Sequence, residues 1–279
     1  MNPIEEQTIL VTGSTSGHGR ALAEMLAAEG ATVLLHGRND DLGQKAVEEI
    51  TSATGNDRIR FYRADLSSLD EVRDLAARIQ EDCERLECLV NNAGIGVADS
   101  GGGGRMISRD GNELRFQVNY LAPYLLTRLL LPLLEESAPA RIVNVSSAGQ
   151  ASIDFSDPML EGRYDGLQAY GQSKLAQVMD TFELAGQLDP GLVTVNCLHP
   201  ATYMDTEMVR VAGVKPASTV EEGAEASLKL ITDPELDGTT GLYFDHEHES
   251  AAHSQAYDED ARAKLMTLSK RLTGLEPTT

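Results

Sequence analysis

The chain has 279 residues, a length that suits one large α/β domain, and 41% of them are hydrophobic, enough for an aliphatic core. Its formal net charge is −21, and such a surface repels phosphate backbones, so we predict no nucleic-acid partner. The three cysteines lack metal-like spacing, which predicts no metal site. No apolar run approaches the ~20 residues of a membrane span, so we predict none. Met1 to Gln7 is unlike a secretory signal, and the cysteines cannot all pair, which together predict a reducing cytoplasm as the location.

The first predicted elements are a strand from Thr8 to Val11, a glycine-rich turn, and a helix that begins with the turn's last residues. In this context backbone amides and a helix N-terminus can hold a pyrophosphate. We therefore predict a dinucleotide-binding turn made of Gly13, Ser14, Thr15, Ser16, Gly17, His18 and Gly19. The alternative is an ordinary flexible loop.

The second predicted strand, from Thr32 to His36, ends in Gly37, Arg38 and Asn39. A carboxylate that binds the ribose 2′-hydroxyl of NAD would stand at position 37, where this chain has glycine. A guanidinium suits a 2′-phosphate, so Arg38 predicts NADP(H) as the cofactor, with Asn39 beside it. The alternative is a surface arginine.

The remaining pattern alternates strands and helices, which predicts right-handed crossovers and a parallel sheet. Strands are predicted at Ile59 to Tyr62, Leu86 to Val90, Arg141 to Val145, Val193 to Leu198 and Gly241 to Phe244. Helices are predicted at Asp41 to Thr51, from Ser67 or Ser68 to Ile79, at Glu113 to Glu136 with kinks at Pro123 and Pro132, around Tyr170, at Val220 to Ile231 and in residues 258–272. The predicted fold is a single α/β domain over residues 1–279, a Rossmann-like doubly wound parallel sheet of about seven strands flanked by helices.

Three connecting segments are predicted by composition. Gly101 to Gly104 is expected to be a flexible loop, and residues 203–219 have poor periodicity, which makes them a candidate substrate lid. Asp245 to Glu249 alternates histidines with carboxylates, and we interpret it as a solvated turn because it lacks converging metal ligands.

Tyr170 and Lys174 are four residues apart and share one face of a helix. A cation ~4 Å from a phenol favours the phenolate by ~4 kcal/mol at an effective dielectric of ~20. The pair can thus serve as a general acid or base, although such pairs on surfaces are usually solvated side chains. Ser147 follows the fifth strand, where ligands of parallel sheets bind, and Asn119 lies within a helix, either as a satisfied core amide or at the site.

In combination these motifs resemble the short-chain dehydrogenase/reductase family, in particular its retinol-dehydrogenase-like branch. The matching motifs are Thr12-Gly13-x-x-x-Gly17-x-Gly19, Asp65-Leu66, Asn91-Asn92-Ala93-Gly94, Asn119, Ser147, Tyr170-x-x-x-Lys174 and the segment from His199 to Thr206. They occur in the family's order. Two departures are His18, which replaces an apolar residue, and Ala201, which replaces a glycine.

The resemblance implies a role for each matching residue. Tyr170 would exchange a proton with the substrate oxygen, Lys174 would favour the phenolate and bind the nicotinamide ribose, Ser147 would hydrogen-bond the substrate oxygen, and Asn119 would anchor a water that links Lys174 to solvent. Further cofactor contacts are implied for Asp65, Leu66, Asn92, Ala93, Gly94, Pro200, Thr202 and Thr206, and His18 would adjoin the nicotinamide or alter that wall.

The sequence therefore predicts an NADP(H)-dependent oxidoreductase that interconverts a carbonyl and an alcohol on a small, apolar substrate. The apolar preference follows from the apolar side chains of the candidate lid, which are Met204, Met208, Val209 and Val211. The alternatives are an isomerase, dehydratase or cyclase on the same fold, or a cofactor-sensing binding protein. The resemblance also implies a homodimer or homotetramer packed through the Glu113 and Tyr170 helices.

Overall fold

The computed structural model describes residues 1–98 and 104–275. Of the glycine-rich loop predicted at Gly101 to Gly104, all but Gly104 lies outside these residues.

The described residues form an eight-stranded sheet with the strand order β3-β2-β1-β4-β5-β6-β7-β8. The strands are β1 (Thr8–Val11), β2 (Thr32–Gly37), β3 (Ile59–Arg63), β4 (Cys88–Asn91), β5 (Ala140–Val145), β6 (Val193–His199), β7 (Tyr243–Asp245) and β8 (His248–Glu249). The first seven are parallel, which confirms the predicted sheet. The His-Glu stretch predicted as a solvated turn has a turn at His246 and Glu247, and it also contributes β8, an antiparallel edge strand that pairs with β7.

Helices cover both faces of the sheet, as the predicted doubly wound fold requires. They are α1 (Gly17–Ala28), α2 (Asp40–Thr54), α3 (Leu69–Asp82), α4 (Leu114–Phe116), α5 (Ala122–Glu136), α6 (Gly166–Ala185), α7 (Glu207–Val211), α8 (Val220–Thr232) and α9 (Glu259–Thr273). Side chains of β1 alternate between two cores: Leu10 packs with α3, α5, α6 and α9, whereas Ile9 and Val11 pack with α1, α2 and α8. This alternation follows from the two-residue period of a strand.

The long helix predicted from Glu113 to Glu136 differs in detail. The buried carboxylate of Glu113 accepts from Phe116 N and starts α4, after which a π-helical turn, Gln117–Leu121, leads into α5. Pro123 lies in the first turn of α5, where a missing N–H costs little, so the predicted kink at Pro123 is replaced by the π turn before it. Asn119 lies in this π turn, and such turns are frequent at functional sites.

The C-terminal helix α9 packs on the outer face of α6 and of the π turn. Tyr120 Oη lies 2.6 Å from Ser269 Oγ, and Arg262 Nε lies 3.4 Å from Glu183 Oε2. This is the face through which the sequence predicts a dimer or tetramer. The oligomeric state and the surface that would form it stay predictions.

No helix within residues 1–98 and 104–275 combines the length and the apolar character needed to cross a membrane.

Candidate active site

The candidate site lies at the carboxyl edge of the sheet, beside the point where the strand order reverses. Strand β1 has β2 on one side and β4 on the other, and the chain crosses to opposite faces there. In open parallel sheets this crevice is where ligands bind. The glycine turn after β1 and the segments after β4, β5 and β6 meet at this edge.

The glycine turn has the geometry that a close phosphate contact needs. Gly13 and Gly17 have φ of 65° and 56°, a region that side chains rarely adopt. A Cβ at Gly13 would lie 2.7 Å from Ala93 Cα, and a Cβ at Gly19 would lie 2.3 Å from Asn92 Nδ2. Helix α1 begins directly at Gly17, and the side chain of its N-cap, Ser16, makes no capping hydrogen bond. The first-turn amides of α1 therefore fit a pyrophosphate.

Several predicted cofactor residues use their side chains to hold this turn. Ser14 Oγ donates to Val11 O at 2.8 Å and accepts from His36 N at 3.0 Å. Asn92 Nδ2 donates to Thr12 O at 2.7 Å and to Gly13 O at 3.1 Å. These side chains shape the backbone of the cofactor turn, so their predicted cofactor contacts would come through main-chain groups.

His36, near the end of β2, supports the turn, although the sequence did not single it out. Its Nδ1 accepts from Gly13 N at 3.1 Å, and its Nε2 lies 3.2 Å from Ala64 O. Burial lowers the pKa of His36 to about 4, so the ring is neutral at pH 7. A neutral ring with Nε2–H matches one donor and one acceptor neighbour. Its place at the end of β2 was the available signal.

Arg38 and Asn39 follow β2 at the far end of the crevice. Asn39 Oδ1 accepts from Leu42 N at 3.0 Å and caps α2, while Arg38 is exposed. A Cβ at Gly37 would lie 2.6 Å from Thr15 Cγ2. A carboxylate is absent from position 37, and any side chain there would require Thr15 to shift.

Asp65 and Leu66 follow β3 next to Arg38. Burial raises the pKa of the Asp65 carboxyl, but hydrogen bonds from Ser67 outweigh it, and the pKa lies below its usual value. The charges of Arg109 and Arg38 act in the same direction. The Arg109 guanidinium lies 3.4 Å from Asp65 Oδ2, although nothing in the linear spacing indicated that Arg109 reaches this site. Two arginines therefore lie near Asp65, for which the family resemblance implies a cofactor contact.

Tyr170 and Lys174 share one face of α6, as predicted. The Lys174 Nζ lies 6.0 Å from the centre of the Tyr170 ring. It donates to Val145 O at 2.9 Å and to Gln177 Oε1 at 3.0 Å, and Lys174 is 4% exposed. Burial lowers the pKa of Lys174 to about 7. The ammonium is therefore close to its titration midpoint at neutral pH, a point that the sequence did not predict.

Asn119 stands beside the lysine. Its Oδ1 accepts from Ile95 N at 2.8 Å, and its Nδ2 donates to Ile95 O at 3.1 Å and to Ser173 Oγ at 3.0 Å. A Cβ at Gly94 would lie 3.3 Å from Asn119 Oδ1 and 3.5 Å from Lys174 Nζ, so the two side chains adjoin. The amide is both satisfied and next to Lys174, and the water implied for Asn119 stays a prediction.

Of the two serines after β5, only Ser147 faces the crevice. Ser146 is buried and donates from Oγ to Lys174 O at 2.9 Å. Ser147 Oγ accepts from Gly149 N at 3.0 Å. A Cβ at Gly149 would lie 3.4 Å from Ser147 Oγ and 3.8 Å from Tyr170 Cε1, which places both side chains around one point. A hydroxyl, a phenol and a buried amine thus adjoin, and such a set can hold a carbonyl oxygen and exchange a proton with it.

The segment after β6 borders the glycine turn. A Cβ at Gly17 would lie 3.3 Å from Thr206 Cγ2, while Thr202 Oγ1 lies 3.0 Å from His199 Nε2. Residues 203–219 contain the short helix α7 and are closed at their base by a bridge between Met204 and Ser218. Within the described part of the chain, no group of three or more His, Cys, Asp or Glu residues could hold a metal ion.

His18 occupies a place that the sequence did not predict. Its ring is buried between the glycine turn and α8, with Asn92 on one side and Gly223 and Ser227 on the other. The partners come from two segments far apart in the chain, the turn after β4 and α8. A role of His18 toward the nicotinamide stays a prediction.

Comparisons with known proteins agree with this geometry. The short chain dehydrogenase family model matches residues 7–216. The chain is 37% identical to retinol dehydrogenase 13 of Mus musculus, over 98% of this chain and 85% of the relative. It is 32% identical to polyprenol dehydrogenase of Homo sapiens, over 98% of this chain and 87% of the relative. A short chain dehydrogenase of Escherichia coli, solved in complex with NADPH, is similar in structure, with a TM-score of 0.70, 29% identity, and coverage of 87% of this chain and 97% of that chain. The chain therefore belongs to the short-chain dehydrogenase/reductase family, in its retinol-dehydrogenase-like branch.

Proposed function

We propose that this protein is an NADP(H)-dependent oxidoreductase that interconverts an alcohol and a carbonyl with Tyr170 as the acid or base. The observation that supports it best is the convergence of Tyr170, Lys174 and Ser147 beside a glycine turn that fits a pyrophosphate. NADP(H), when bound, supplies or accepts the hydride.

Each residue of the site has a defined task in this proposal. Ser147 Oγ holds the substrate oxygen, and Tyr170 gives that oxygen a proton in reduction or takes one in oxidation. The ammonium of Lys174 favours the deprotonated phenol and donates to the nicotinamide ribose. Asn119 keeps the neighbouring backbone in place and anchors the water through which Lys174 exchanges protons.

Residues at the end of the second strand favour the binding of NADP(H) over NAD(H). Arg38 is exposed, its charge acts on Asp65, and Gly37 carries no carboxylate that would repel a 2′-phosphate. Arg109 lies near the same point, where it pairs with Asp65 and with Glu71. The NADPH complex of the Escherichia coli relative is consistent with this choice. We propose that the predicted cofactor residues act together with Arg109 in holding the cofactor.

The proposed substrate is an apolar alcohol or the corresponding carbonyl compound. The relatives named above are dehydrogenases of retinol and of polyprenol, which are both apolar alcohols. The candidate lid, residues 203–219, carries apolar side chains and touches the glycine turn through Thr206. We propose that it closes over the substrate when the cofactor is bound. A cytoplasmic location and a homo-oligomeric state remain proposals.

The test is NADPH oxidation by the purified protein with a panel of apolar aldehydes and ketones, with Tyr170→Phe as the matched control. The phenylalanine keeps the ring and lacks the proton, so we expect the chemical step to fall by about 10²–10⁴-fold while NADPH still binds. Near-normal turnover by Tyr170→Phe would refute the assignment of the acid. A rearranged product without any nicotinamide turnover would identify an isomerase instead.

A further inference from the structure

His18 connects the glycine turn to a helix that lies more than two hundred residues further along the chain. Its Nδ1 lies 2.7 Å from Asn92 Oδ1, and its Nε2 lies 3.0 Å from both Gly223 O and Ser227 Oγ. The ring is 6% exposed. Gly223 also adjoins the candidate lid, because a Cβ there would lie 2.3 Å from Met204 Sδ. His18 therefore bridges the proposed pyrophosphate site and the helix that follows the lid.

The orientation of the Asn92 amide decides what the Nδ1 of His18 meets. The Asn92 Nδ2 lies within hydrogen-bond distance of two carbonyl oxygens, Thr12 O and Gly13 O. Turning the amide around would place its oxygen against two acceptors, so the group facing His18 is the oxygen Oδ1. An amide oxygen only accepts, and Nδ1 must therefore carry a proton.

The other ring nitrogen of His18 meets a second acceptor. Gly223 O only accepts, so a proton on Nε2 is needed for that bond as well. A neutral imidazole has one N–H and leaves one of these oxygens facing a lone pair, whereas the imidazolium satisfies both. Ser227 is the one adaptable neighbour, since its hydroxyl can donate to a neutral Nε2 or accept from a protonated one.

His36, in β2 beside the glycine turn, provides an internal contrast. Its Nδ1 faces the donor Gly13 N and its Nε2 faces the acceptor Ala64 O, which is the arrangement that a neutral ring needs. Two buried histidines therefore contact one turn: the partners of His36 suit a neutral ring, whereas an acceptor faces each ring nitrogen of His18.

We propose that His18 is a positioning residue that takes up a proton when an anionic dinucleotide binds, and that the resulting imidazolium ties the glycine turn to α8 beneath the lid. The inference rests on the proposed cofactor site, because the pyrophosphate would occupy the turn that contains His18. The bound anion favours the charged ring, and the charged ring in turn makes both of its hydrogen bonds.

The charge balance gives the sign of the effect. In the free protein burial lowers the pKa of His18 below its usual value, the hydrogen bonds to Asn92 and Gly223 oppose this, and the charge of Lys174 on α6 lowers the pKa further. The groups that face the ring from α8 and from the turn after β4 are the neutral Gly223, Ser227 and Asn92. A bound anion raises the pKa, so proton uptake occurs between the free and the bound pKa. Cofactor affinity is then highest at low pH and falls as pH rises through the bound pKa.

The direct test is NMR of the isotope-labelled histidine rings, with NADP⁺ as the probe. We expect the His18 ring to carry a proton on both nitrogens up to a higher pH in the complex than in the free protein, because the bound anion raises its pKa. The His36 ring should show no such change. An identical pH titration of the His18 ring in the free protein and in the saturated complex would overturn the inference. Failure of NADP⁺ to bind would instead refute the proposed function as well.

Calorimetry in buffers of different ionisation enthalpy measures the proton uptake independently. We expect the wild type to take up more protons per NADP⁺ than His18→Gln. Its dissociation constant should also increase more between about pH 5.5 and pH 8.5, by about 10-fold for each unit by which binding raises the pKa of His18. Equal uptake by the two proteins would contradict the inference.

Ser227→Ala gives a second, milder variant whose effect has the opposite sign. It removes the hydroxyl that donates to the neutral His18 ring but keeps the acceptor Gly223 O. The His18 ring of the free protein should therefore keep its second proton up to a higher pH, and the protein should take up fewer protons when NADP⁺ binds. Ser269→Ala, at a buried helical serine that bonds Tyr120 instead, is the matched control and should leave the uptake unchanged. An unchanged His18 titration in Ser227→Ala would overturn the assignment.

Discussion

Replacing Lys174 with methionine removes a buried charge from the site while roughly keeping the length of the side chain. In the folded protein burial lowers the pKa of Lys174 from 10.5 to about 7. Between these values the unfolded chain binds more protons than the folded one, so the stability of the wild type rises with pH across this window. The cost of burying the ammonium is fully present below pH 7. We therefore expect Lys174→Met to gain stability relative to the wild type, most at low pH.

The magnitude follows from the displacement of the pKa. A change from 10.5 to about 7 corresponds to a cost on the order of 5 kcal/mol at low pH. The lost hydrogen bonds to Val145 O and Gln177 Oε1 offset part of this gain, each by about 1–3 kcal/mol for the acceptor left unpaired. That offset hardly depends on pH. The quantity that tests the reasoning is therefore the pH dependence of the difference in stability between the two proteins.

Urea unfolding of the cofactor-free proteins between about pH 6 and pH 10 measures that difference, since the titration window lies within this range. The advantage of Lys174→Met should shrink by several kcal/mol as the pH rises through this range. Lys264→Met, at an exposed lysine of α9, is the matched control and should show no such trend. A pH-independent difference for Lys174→Met would show that Lys174 titrates normally in the folded protein and refute the reasoning.

The same substitution tests the role of the ammonium in the reaction. A charge 6.0 Å from the centre of the Tyr170 ring favours the deprotonated phenol by about 3 kcal/mol at an effective dielectric of ~20, a factor of about 100. Alcohol oxidation below pH 7 should therefore fall by that order in Lys174→Met. An unchanged rate and pH profile would remove Lys174 from the mechanism.

Three further substitutions probe the cofactor and the substrate oxygen. We expect the wild type to prefer NADPH over NADH by about 10- to 150-fold, the value of one charge-assisted hydrogen bond. Arg38→Leu should lower this preference, whereas the control Arg60→Leu on the neighbouring strand should not. Equal dissociation constants for the two cofactors in the wild type would contradict this prediction. Gly19→Ala should abolish NADPH binding in fluorescence titrations, because its Cβ would lie 2.3 Å from Asn92 Nδ2; retained affinity would refute the described turn. Ser147→Ala should lower kcat by about 10²-fold with little change in NADPH affinity, and a normal kcat would exclude the serine.

The sequence by itself determined the features that depend on near neighbours in the chain. Short apolar runs placed β1 and β2, the residues from Gly13 to Gly19 indicated a turn, and the four-residue spacing put Tyr170 and Lys174 on one helical face. These structural predictions succeed because strand and helix periods, glycine turns and caps are set within a few residues, whereas the phosphate site stays a prediction. Motifs at the carboxyl ends of parallel strands could then be assigned to one edge of the sheet.

Only the tertiary structure decided which distant groups meet. The π turn around Asn119 and the burial that lowers the pKa of Lys174 depend on the packing of α6 against its neighbours. Arg109 contacts Asp65, and His18 contacts two acceptors, one after β4 and one in α8. These contacts connect segments that are far apart in the sequence, so no local pattern predicts them. Desolvation and hydrogen-bond geometry are properties of the assembled core, so protonation states in this site follow from the fold and not from residue type.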